Sequence, residues 1–218
     1  MYIPPTNLEE RADIIHDYID AHPFATLVTA SSEGPFATHL PMVLDRSRGR
    51  HGVLQAHLAR ANPHHKQQVL GDALAIFQGP DAYITPSWYA SKTEHGKVVP
   101  TWNYIAVHAY GTLRFIDDIA FLTKHLEALT KRHESKRAEP WAVSDAPTDY
   151  VAQMQKAIVG LELDITRLEG KWKMSQNRPA ADIDGVIAGL SVSPIQRERE
   201  VGRLVAQARP TKDATSSR

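Results

Sequence analysis

The chain has 218 residues, 42% of them hydrophobic, and its 25 basic and 25 acidic residues leave a formal net charge of zero. This composition is typical of a folded globular protein and excludes general disorder, while the balanced charge excludes a global field that would attract DNA or an anionic membrane. The lack of cysteine excludes disulfides, thiolate nucleophiles and cysteine-ligated metal centres. The sequence shows no secretory signal and no apolar run near the roughly 18 residues of a spanning helix, so we expect a cytoplasmic protein without a membrane anchor.

The first half of the chain predicts one helix and a series of short strands. A helix is predicted from Leu8 to Ala21, with Asn7 as its cap, because Leu8, Ile15 and Ile19 share one face. Apolar runs rich in β-branched residues and bounded by turns predict strands at 24–30, 36–44 and 52–58.

The second half predicts further strands interspersed with helices. Strands are predicted at 74–78, 81–84, 102–115 (with Gly111 as a bulge) and 161–168. Helices are predicted after Asp117 or Asp118, at 149–158, at 183–190 and at 194–208, with a polar connection at 134–147. Consecutive strands without βαβ alternation favour an antiparallel barrel over a doubly wound sheet. We therefore predict one mainly β domain with flanking helices over 1–209, and a tail of disordered composition at 210–218.

The segment from His57 to His64 is the first candidate for ligand binding. The chain has no GxGxxG and no P-loop, so side chains and a helix N-terminus would have to hold a phosphate-bearing ligand. Asn62 and Pro63 predict such a helix start, and Arg60 just before it offers a two-pronged cationic donor. An ordinary helix cap with a surface arginine explains the same pattern, and both interpretations stay open.

Aromatic residues gather in two neighbouring segments, Pro86–Lys92 and Val99–Tyr104. Their four large aromatics are Trp88, Tyr89, Trp102 and Tyr104. Aromatic faces, amide groups and a lysine are the groups that line a slot for a flat ring. The alternative interpretation is a set of core aromatics with a solvated lysine.

The densest polar and aromatic segment runs from Gly170 to Pro179. It combines three cations, an indole and three hydrogen-bonding side chains, which is a mixture unlike a buried core. Such a segment suits a ligand, or nucleic acid through stacking and phosphate pairing, and a solvated loop is the alternative.

The eleven histidines raise the question of a metal or haem. None has the helical i, i+4 spacing with a carboxylate that marks a metal pair, so we expect no metal site. Haem ligation by one histidine stays open, because a single ligand requires no spacing.

Six motifs together resemble the PaiB-like family, whose members are described as FMN-binding negative transcriptional regulators. The motifs follow the family order and span nearly the whole chain before the tail. They are Met1–Pro5, Thr38–Pro41, His57–Pro63, Tyr83–Tyr89, Val99–Tyr104 and Gly170–Arg178.

The resemblance implies a split β-barrel, similar to the pyridoxamine-phosphate oxidases, in which two chains form a homodimer with FMN between them. It places Thr38 and His39 beside the flavin ring and His57, Arg60 and Asn62 around the phosphate. It also implies that Trp102 and Asn103 come from the partner strand and that Trp172, Gln176 and Arg178 close the pocket. Only Arg60 is clearly cationic at the phosphate turn, so Lys92 and Lys171 are further candidates for binding the phosphate.

The function that this resemblance implies is negative regulation of transcription by a protein that binds FMN, in preference to FAD. A flavin-dependent oxidoreductase that uses NAD(P)H is the first alternative, and a haem-binding split barrel is the second. Direct DNA binding has weak support, because Glu198 and Glu200 offset the arginines of segment 196–209 and no basic recognition helix is evident.

Overall fold

The computed structural model describes residues 1–209, which form eight strands and six α-helices. The strands are β1 (Leu8–Glu9), β2 (Phe24–Ser31), β3 (Gly34–Pro41), β4 (Val43–Asp45), β5 (Val53–Ala59), β6 (Ala73–Ile84), β7 (Thr101–Ile116) and β8 (Ile158–Lys173). The helices are α1 (Ala12–Ala21), α2 (Ser91–Glu94), α3 (Ile119–Glu134), α4 (Thr148–Lys156), α5 (Ala180–Ser191) and α6 (Gln196–Gln207). The predicted tail at 210–218 lies outside the described residues.

The eight strands belong to one sheet, whose order is β3-β2-β6-β7-β8-β5-β4, with β1 paired to β8. The registers of β1, β2, β4 and β5 with their partners are all antiparallel. This confirms the predicted antiparallel β architecture with flanking helices. Within residues 1–209, the order ends at β3 and β4 and does not close into a ring.

The chain divides into two compact units. Unit 1 comprises residues 1–10, 78–106 and the described chain from 169 onward, and unit 2 comprises residues 11–77 and 107–168. In unit 1, Ile105, Met174, Val186 and Leu190 are almost fully buried. The buried side chains of unit 2 include Ile19, Leu27, Leu54, Phe77, Leu122 and Leu161. Each unit therefore has apolar side chains removed from water, the main favourable contribution to folding. The single domain over 1–209 stays a prediction.

The start of the first helix differs from the prediction. Helix α1 begins at Ala12, and Leu8 instead pairs with Lys171 of β8 as part of β1. Asn7 is buried and caps no helix that starts at Leu8. The backbone of Leu8 and Glu9 finds its partners in a strand ladder, which the amphipathic pattern of residues 8–21 does not reveal.

Several strand boundaries also differ. The strand predicted at 36–44 is two strands, β3 and β4, and the two predicted at 74–78 and 81–84 are the single strand β6. Strand β8 extends to Lys173, so the segment read as a loop from Lys171 onward begins inside the sheet. Gly79 and Pro80 lie inside β6, between the two predicted strands.

The predicted α3 is confirmed with its cap. The Asp118 side chain accepts a hydrogen bond from the Phe121 N–H at 2.7 Å. On the inner face of α3, Leu122 is fully buried and His125 nearly so. At Gly111 of β7, an added Cβ would lie 2.0 Å from the Asp164 carbonyl oxygen, so close approach of the backbone explains this glycine. Across the described chain, no helix is both long and apolar enough to span a membrane.

Candidate functional site

A buried histidine organises the first group of motif residues, in unit 2. Asn62 caps a short 3-10 helix, Pro63–Lys66, by accepting a hydrogen bond from the His64 N–H at 3.0 Å. The His64 ring is fully buried, and its two nitrogens lie 2.8 Å from the hydroxyls of Thr29 and Thr38. The Asn62 amide donates to the Thr38 hydroxyl at 3.2 Å. The predicted cap at Asn62 is confirmed, and Thr38 and Asn62 meet around His64.

The charge state of His64 follows from its burial. Burial lowers the pKa of His64 below its ordinary value, so the ring is neutral near pH 7. A neutral imidazole has one donor and one acceptor nitrogen, and the two hydroxyls satisfy both. The polar atoms of this cluster are therefore paired within the chain.

Arg60 lies at the end of β5 and is held by its own chain. Its Nε donates to the Lys156 carbonyl oxygen at 2.8 Å, and its two terminal nitrogens donate to the Asp117 carboxylate at 2.9 and 2.6 Å. One of them also donates to the Ile158 carbonyl oxygen at 3.0 Å. The hydrogen bonds from Arg60 lower the pKa of Asp117, which stays ionised. A phosphate at this position would have to compete with Asp117 for Arg60.

His57 faces helix α3. Its Nδ1 lies 3.0 Å from the Nε2 of His125, and the Phe121 ring stacks on His125 at 6.0 Å. Burial lowers the pKa of His57, and burial followed by the charge of His57 lowers the pKa of His125 to about 4. The neutral pair fixes α3 to β5. His39, by contrast, is exposed on β3, where it bonds to Thr26 and stacks on Phe24.

Sequence reasoning missed a buried carboxylate in unit 2. Glu162 is 4% exposed and accepts hydrogen bonds from Arg48 at 2.5 and 3.1 Å, from Gln55 at 2.9 Å and from Arg114 at 3.1 Å. The bonds from Arg48 are the largest cause that lowers the pKa of Glu162. The signal that could have found it is an acidic residue inside an apolar strand pattern.

The second group of motif residues lies in unit 1 and includes an exposed aromatic pair. Tyr83 of β6 and Trp102 of β7 meet edge to face with ring centroids 5.9 Å apart, and they are 45% and 51% exposed. Lys92 is exposed and donates to the Ser87 hydroxyl at 3.3 Å. Large aromatic side chains usually bury most of their surface, so this pair offers an uncovered apolar wall.

Lys171 is nearly buried in unit 1. Its ammonium donates to the Tyr2 carbonyl oxygen at 3.1 Å and lies 5.1 Å from the centre of the Tyr104 ring. The contact with an aromatic face is a cation–π interaction. Lys171 is thus held between the N-terminal segment and β7.

The residues after β8 form a tight turn. The Gln176 side chain accepts from the Met174 N–H at 2.7 Å and donates to the Trp172 carbonyl oxygen. Ser175 has a φ of 62°, and the Ser175 side chain is nearly buried. The Asn103 amide, fully buried, donates to the Ser175 hydroxyl at 2.9 Å. Gln176 therefore acts through the backbone of the turn, while Asn103 holds the turn against β7.

A small polar cleft opens beside this turn, with a volume of about 80 Å³. The described residues that line it are Thr101, Asn103, Lys173, Ser175, Asn177 and Arg178. Asn103 and Arg178 were predicted as site residues, whereas Thr101, Lys173, Ser175 and Asn177 were not. Thr101, Lys173, Ser175 and Asn177 all fall inside the predicted motif segments, so the segments were the signal and the individual side chains needed the fold.

A flavin nucleotide presents a flat ring system, carbonyl oxygens on the ring and an anionic phosphate. Unit 1 offers an exposed aromatic pair and a cleft with two cations, and this chemistry fits such a molecule. In unit 2, Arg60 already donates hydrogen bonds to Asp117 and to two backbone carbonyl oxygens. Of the two groups of motif residues, the one in unit 1 therefore carries the groups that are available to a ligand.

Relatives of known sequence match this chain along nearly its full length. A protein of Emericella nidulans described as uncharacterized is 36% identical over 249 aligned residues, covering 98% of this chain and 99% of that protein. The protease synthase and sporulation protein PAI 2 of Bacillus subtilis is 31% identical over 206 residues, covering 94% of this chain and 96% of its own.

The fold and the family agree with this similarity. The solved structure of the FAD and haem binding protein from Mycobacterium smegmatis superposes with a TM-score of 0.55 at 19% identity, over 84% of this chain and 80% of that one. This likeness shows the split-barrel type of fold. Residues 1–167 match the family described as "Putative FMN-binding domain". The chain therefore belongs to this FMN-binding-domain family and to its PaiB-like members, as its motifs indicated.

Proposed function

We propose that this chain binds FMN and that the flavin ring packs against the Tyr83–Trp102 pair. The observation that carries the proposal is the exposure of both rings, about half of each side chain, in motifs shared with an FMN-binding family. An offset or edge-to-face contact with a flat ring adds to the stabilisation from area burial alone. FMN is preferred to FAD because the family description names FMN.

The residues of this chain would bind and orient the flavin. Trp102 and Tyr83 would exclude water from one side of the ring, and Asn103 would keep the turn beside β7 in place through Ser175. Bound flavin would supply hydride or single-electron transfer, whereas the protein supplies position and electrostatics. Nothing specific among the described residues favours the NAD(P)H-oxidoreductase or the haem alternative.

The test is a titration of the purified chain with FMN, followed by flavin absorption and by quenching of tryptophan fluorescence. Trp102→Ala should weaken FMN binding by roughly tenfold or more, since a stacking aromatic contributes about 1–3 kcal/mol. Tyr150→Ala is the matched control, because Tyr150 is 53% exposed but lies in unit 2, outside the motifs. Equal affinities for both variants, or no FMN binding by the unmodified chain, would contradict the proposal.

We further propose that the chain is a homodimer with FMN between the two copies, as in the fold type that the motifs resemble. The exposed aromatic pair supports this, because a wall that stays half exposed in one chain is suited to cover by a second. Solution mass measured by light scattering, with and without FMN, should give twice the 24.3 kDa of one chain. A monomer that binds FMN tightly would overturn this part.

We propose a regulatory role in which this chain does not bind DNA directly. The resemblance to the PaiB-like family, whose members are described as negative transcriptional regulators, supports this role, and one relative is named a protease synthase and sporulation protein. In α6 and just after it, Arg197 pairs with Asp81 and Arg209 with Asp184, while Arg199 donates to the Ser193 carbonyl oxygen. These three arginines are therefore already bonded to partners within unit 1. A mobility-shift experiment at low salt should show no promoter binding; a salt-sensitive nanomolar complex would overturn this proposal.

A further inference from the structure

The cleft beside the turn after β8 has an unbalanced charge. Two of its lining side chains are cations, Lys173 and Arg178, and no described residue that lines it is acidic. Like charges close together raise the free energy of the protein unless something of opposite sign compensates them. A cleft with two positive charges and four neutral polar side chains is therefore complementary to an anion.

The contacts of the two cations leave their charge uncompensated. The Lys173 ammonium donates to the Thr101 hydroxyl at 2.6 Å, and the Arg178 guanidinium lies over the Tyr89 ring, 4.6 Å from its centre. Burial raises the pKa of Tyr89, so the phenol is neutral. Within residues 1–209, neither cation forms an ion pair with a carboxylate. The buried carboxylate of Asp182 instead accepts from the backbone and the hydroxyl of Ser91, at 2.8–2.9 Å.

The neutral part of the cleft is rigidly built. Asn103 is fully buried and holds the Ser175 hydroxyl, and Ser175 is the one described non-glycine residue with a positive φ. A residue held in this sparsely populated region costs free energy, and such residues cluster at binding sites. The Gln176 side chain also fixes this turn, because it accepts a hydrogen bond from the Met174 N–H and donates one to the Trp172 carbonyl oxygen. The turn that carries Asn177 and Arg178 is thus held in place before any ligand arrives, which lowers the cost of binding.

The size of the cleft decides what part of a ligand it holds. Its volume of about 80 Å³ is far below the roughly 300–1,000 Å³ of a pocket that encloses a whole ligand. It suits one charged group. A guanidinium that donates two parallel bonds, an ammonium, an amide and hydroxyls are the donors that proteins use for a tetrahedral oxyanion.

We propose that this cleft is a phosphate-binding site, formed by Lys173 and Arg178 and completed by the exposed Asn177. Four of its six lining residues lie after residue 167, beyond the family match. The phosphate group comes from one of two sources, the phosphomonoester of FMN or that of a second ligand. The site exists in either case and does not depend on flavin binding.

The experiment titrates the purified full chain with inorganic phosphate in a phosphate-free buffer at constant ionic strength, by calorimetry. Saturable binding should be weakened roughly ten- to hundredfold in Lys173→Gln and in Arg178→Gln, because each removes charge-assisted hydrogen bonds. Asn177→Asp adds a negative charge to the cleft and leaves both cations in place, so it should also weaken phosphate binding. Asn177 is exposed and similar in size to Asp, so the substitution should not disturb the fold. Lys136→Gln, at an exposed lysine of unit 2, is the control and should bind phosphate as the unmodified chain does.

Phosphate that does not bind saturably, or that binds equally to all four variants, would overturn the site. Competition then identifies the source. If FMN displaces phosphate and riboflavin does not, the cleft holds the phosphate of FMN. If FMN binds without displacing phosphate, or if phosphate binds to a chain that takes up no flavin, the cleft belongs to a second phosphorylated ligand.

Discussion

The two groups of motif residues differ in how they use their hydrogen-bonding capacity. In unit 2, Arg60 is committed to Asp117 and to two carbonyls, and His64 to Thr29 and Thr38. In unit 1, Lys173 donates to the Thr101 hydroxyl and Arg178 lies over the neutral Tyr89 ring, and neither has a carboxylate partner among residues 1–209. Both groups come from motifs of the same resemblance. The comparison shows that a residue in a ligand-binding motif is available for a ligand only if the fold has not already paired it.

The electrostatics sharpen this contrast. The buried acid of unit 2, Glu162, is matched by Arg48 and Arg114, and the exposed Asp117 is matched by Arg60. Charges in unit 2 therefore stabilise its own structure, whereas the cleft of unit 1 keeps a surplus of positive charge. Changes in unit 2 should affect folding first, and changes in the unit 1 cleft should affect binding first.

The largest effect is expected for His64→Ala. The substitution removes a fully buried ring and leaves the hydroxyls of Thr29 and Thr38 without their partner, so the free energy of unfolding should fall by about 3 kcal/mol. Urea unfolding followed by circular dichroism measures it. His65→Ala is the neighbouring control, because His65 is only half buried and bonds one carbonyl, and its cost should stay below about 1 kcal/mol. An equal loss of unfolding free energy in both variants would contradict a special structural role for the His64 cluster.

A somewhat smaller effect is expected from acid, through the His57–His125 pair. Burial lowers the pKa of folded His125 to about 4 from an ordinary value of 6.5, so the unfolded chain binds more protons between these values. The contribution of the neutral His125 to stability is therefore fully present above about pH 6.5 and is lost as the pH falls towards about 4. The free energy of unfolding should drop by about 2 kcal/mol between about pH 7 and about pH 5.

Urea unfolding at both pH values measures this drop, and His125→Gln should reduce it because the titrating group is gone. His133→Gln on the exposed part of α3 should leave the drop unchanged. An identical pH dependence in the unmodified chain and in His125→Gln would assign the acid sensitivity to other groups.

The smallest effect is expected for Arg60→Gln, which tests most directly whether the motif residues of unit 2 take part in FMN binding. Since Arg60 is held by Asp117, the substitution should change FMN affinity by less than about threefold, well under the effect of Trp102→Ala. Flavin absorption during titration measures the affinity. A loss of tenfold or more would mean that Arg60 leaves Asp117 when the ligand binds, and the contrast between the units would then hold only for the free protein.

The sequence predicted the parts of this protein that depend on near neighbours in the chain. The caps at Asn62 and Asp118 were correct, because a cap is made by a side chain and a backbone N–H two or three residues away. The strands β2 and β5 and the helices α3 to α6 were found within a few residues, because their apolar periodicity is a local property. The motif segments themselves located the two groups of polar residues.

Only the tertiary structure shows which residues that are far apart in the chain pair with each other. Leu8 and Glu9 form a strand because β8 supplies a ladder, although their pattern suits a helix. Arg60 meets an acid 57 residues away, and Asn103 meets Ser175 after 72 residues. By itself, the sequence determined the antiparallel β class, the main elements and the segments that carry the chemistry. Only the fold decided which cations are neutralised and which remain for a ligand, because charge pairing depends on distance in space and not along the chain.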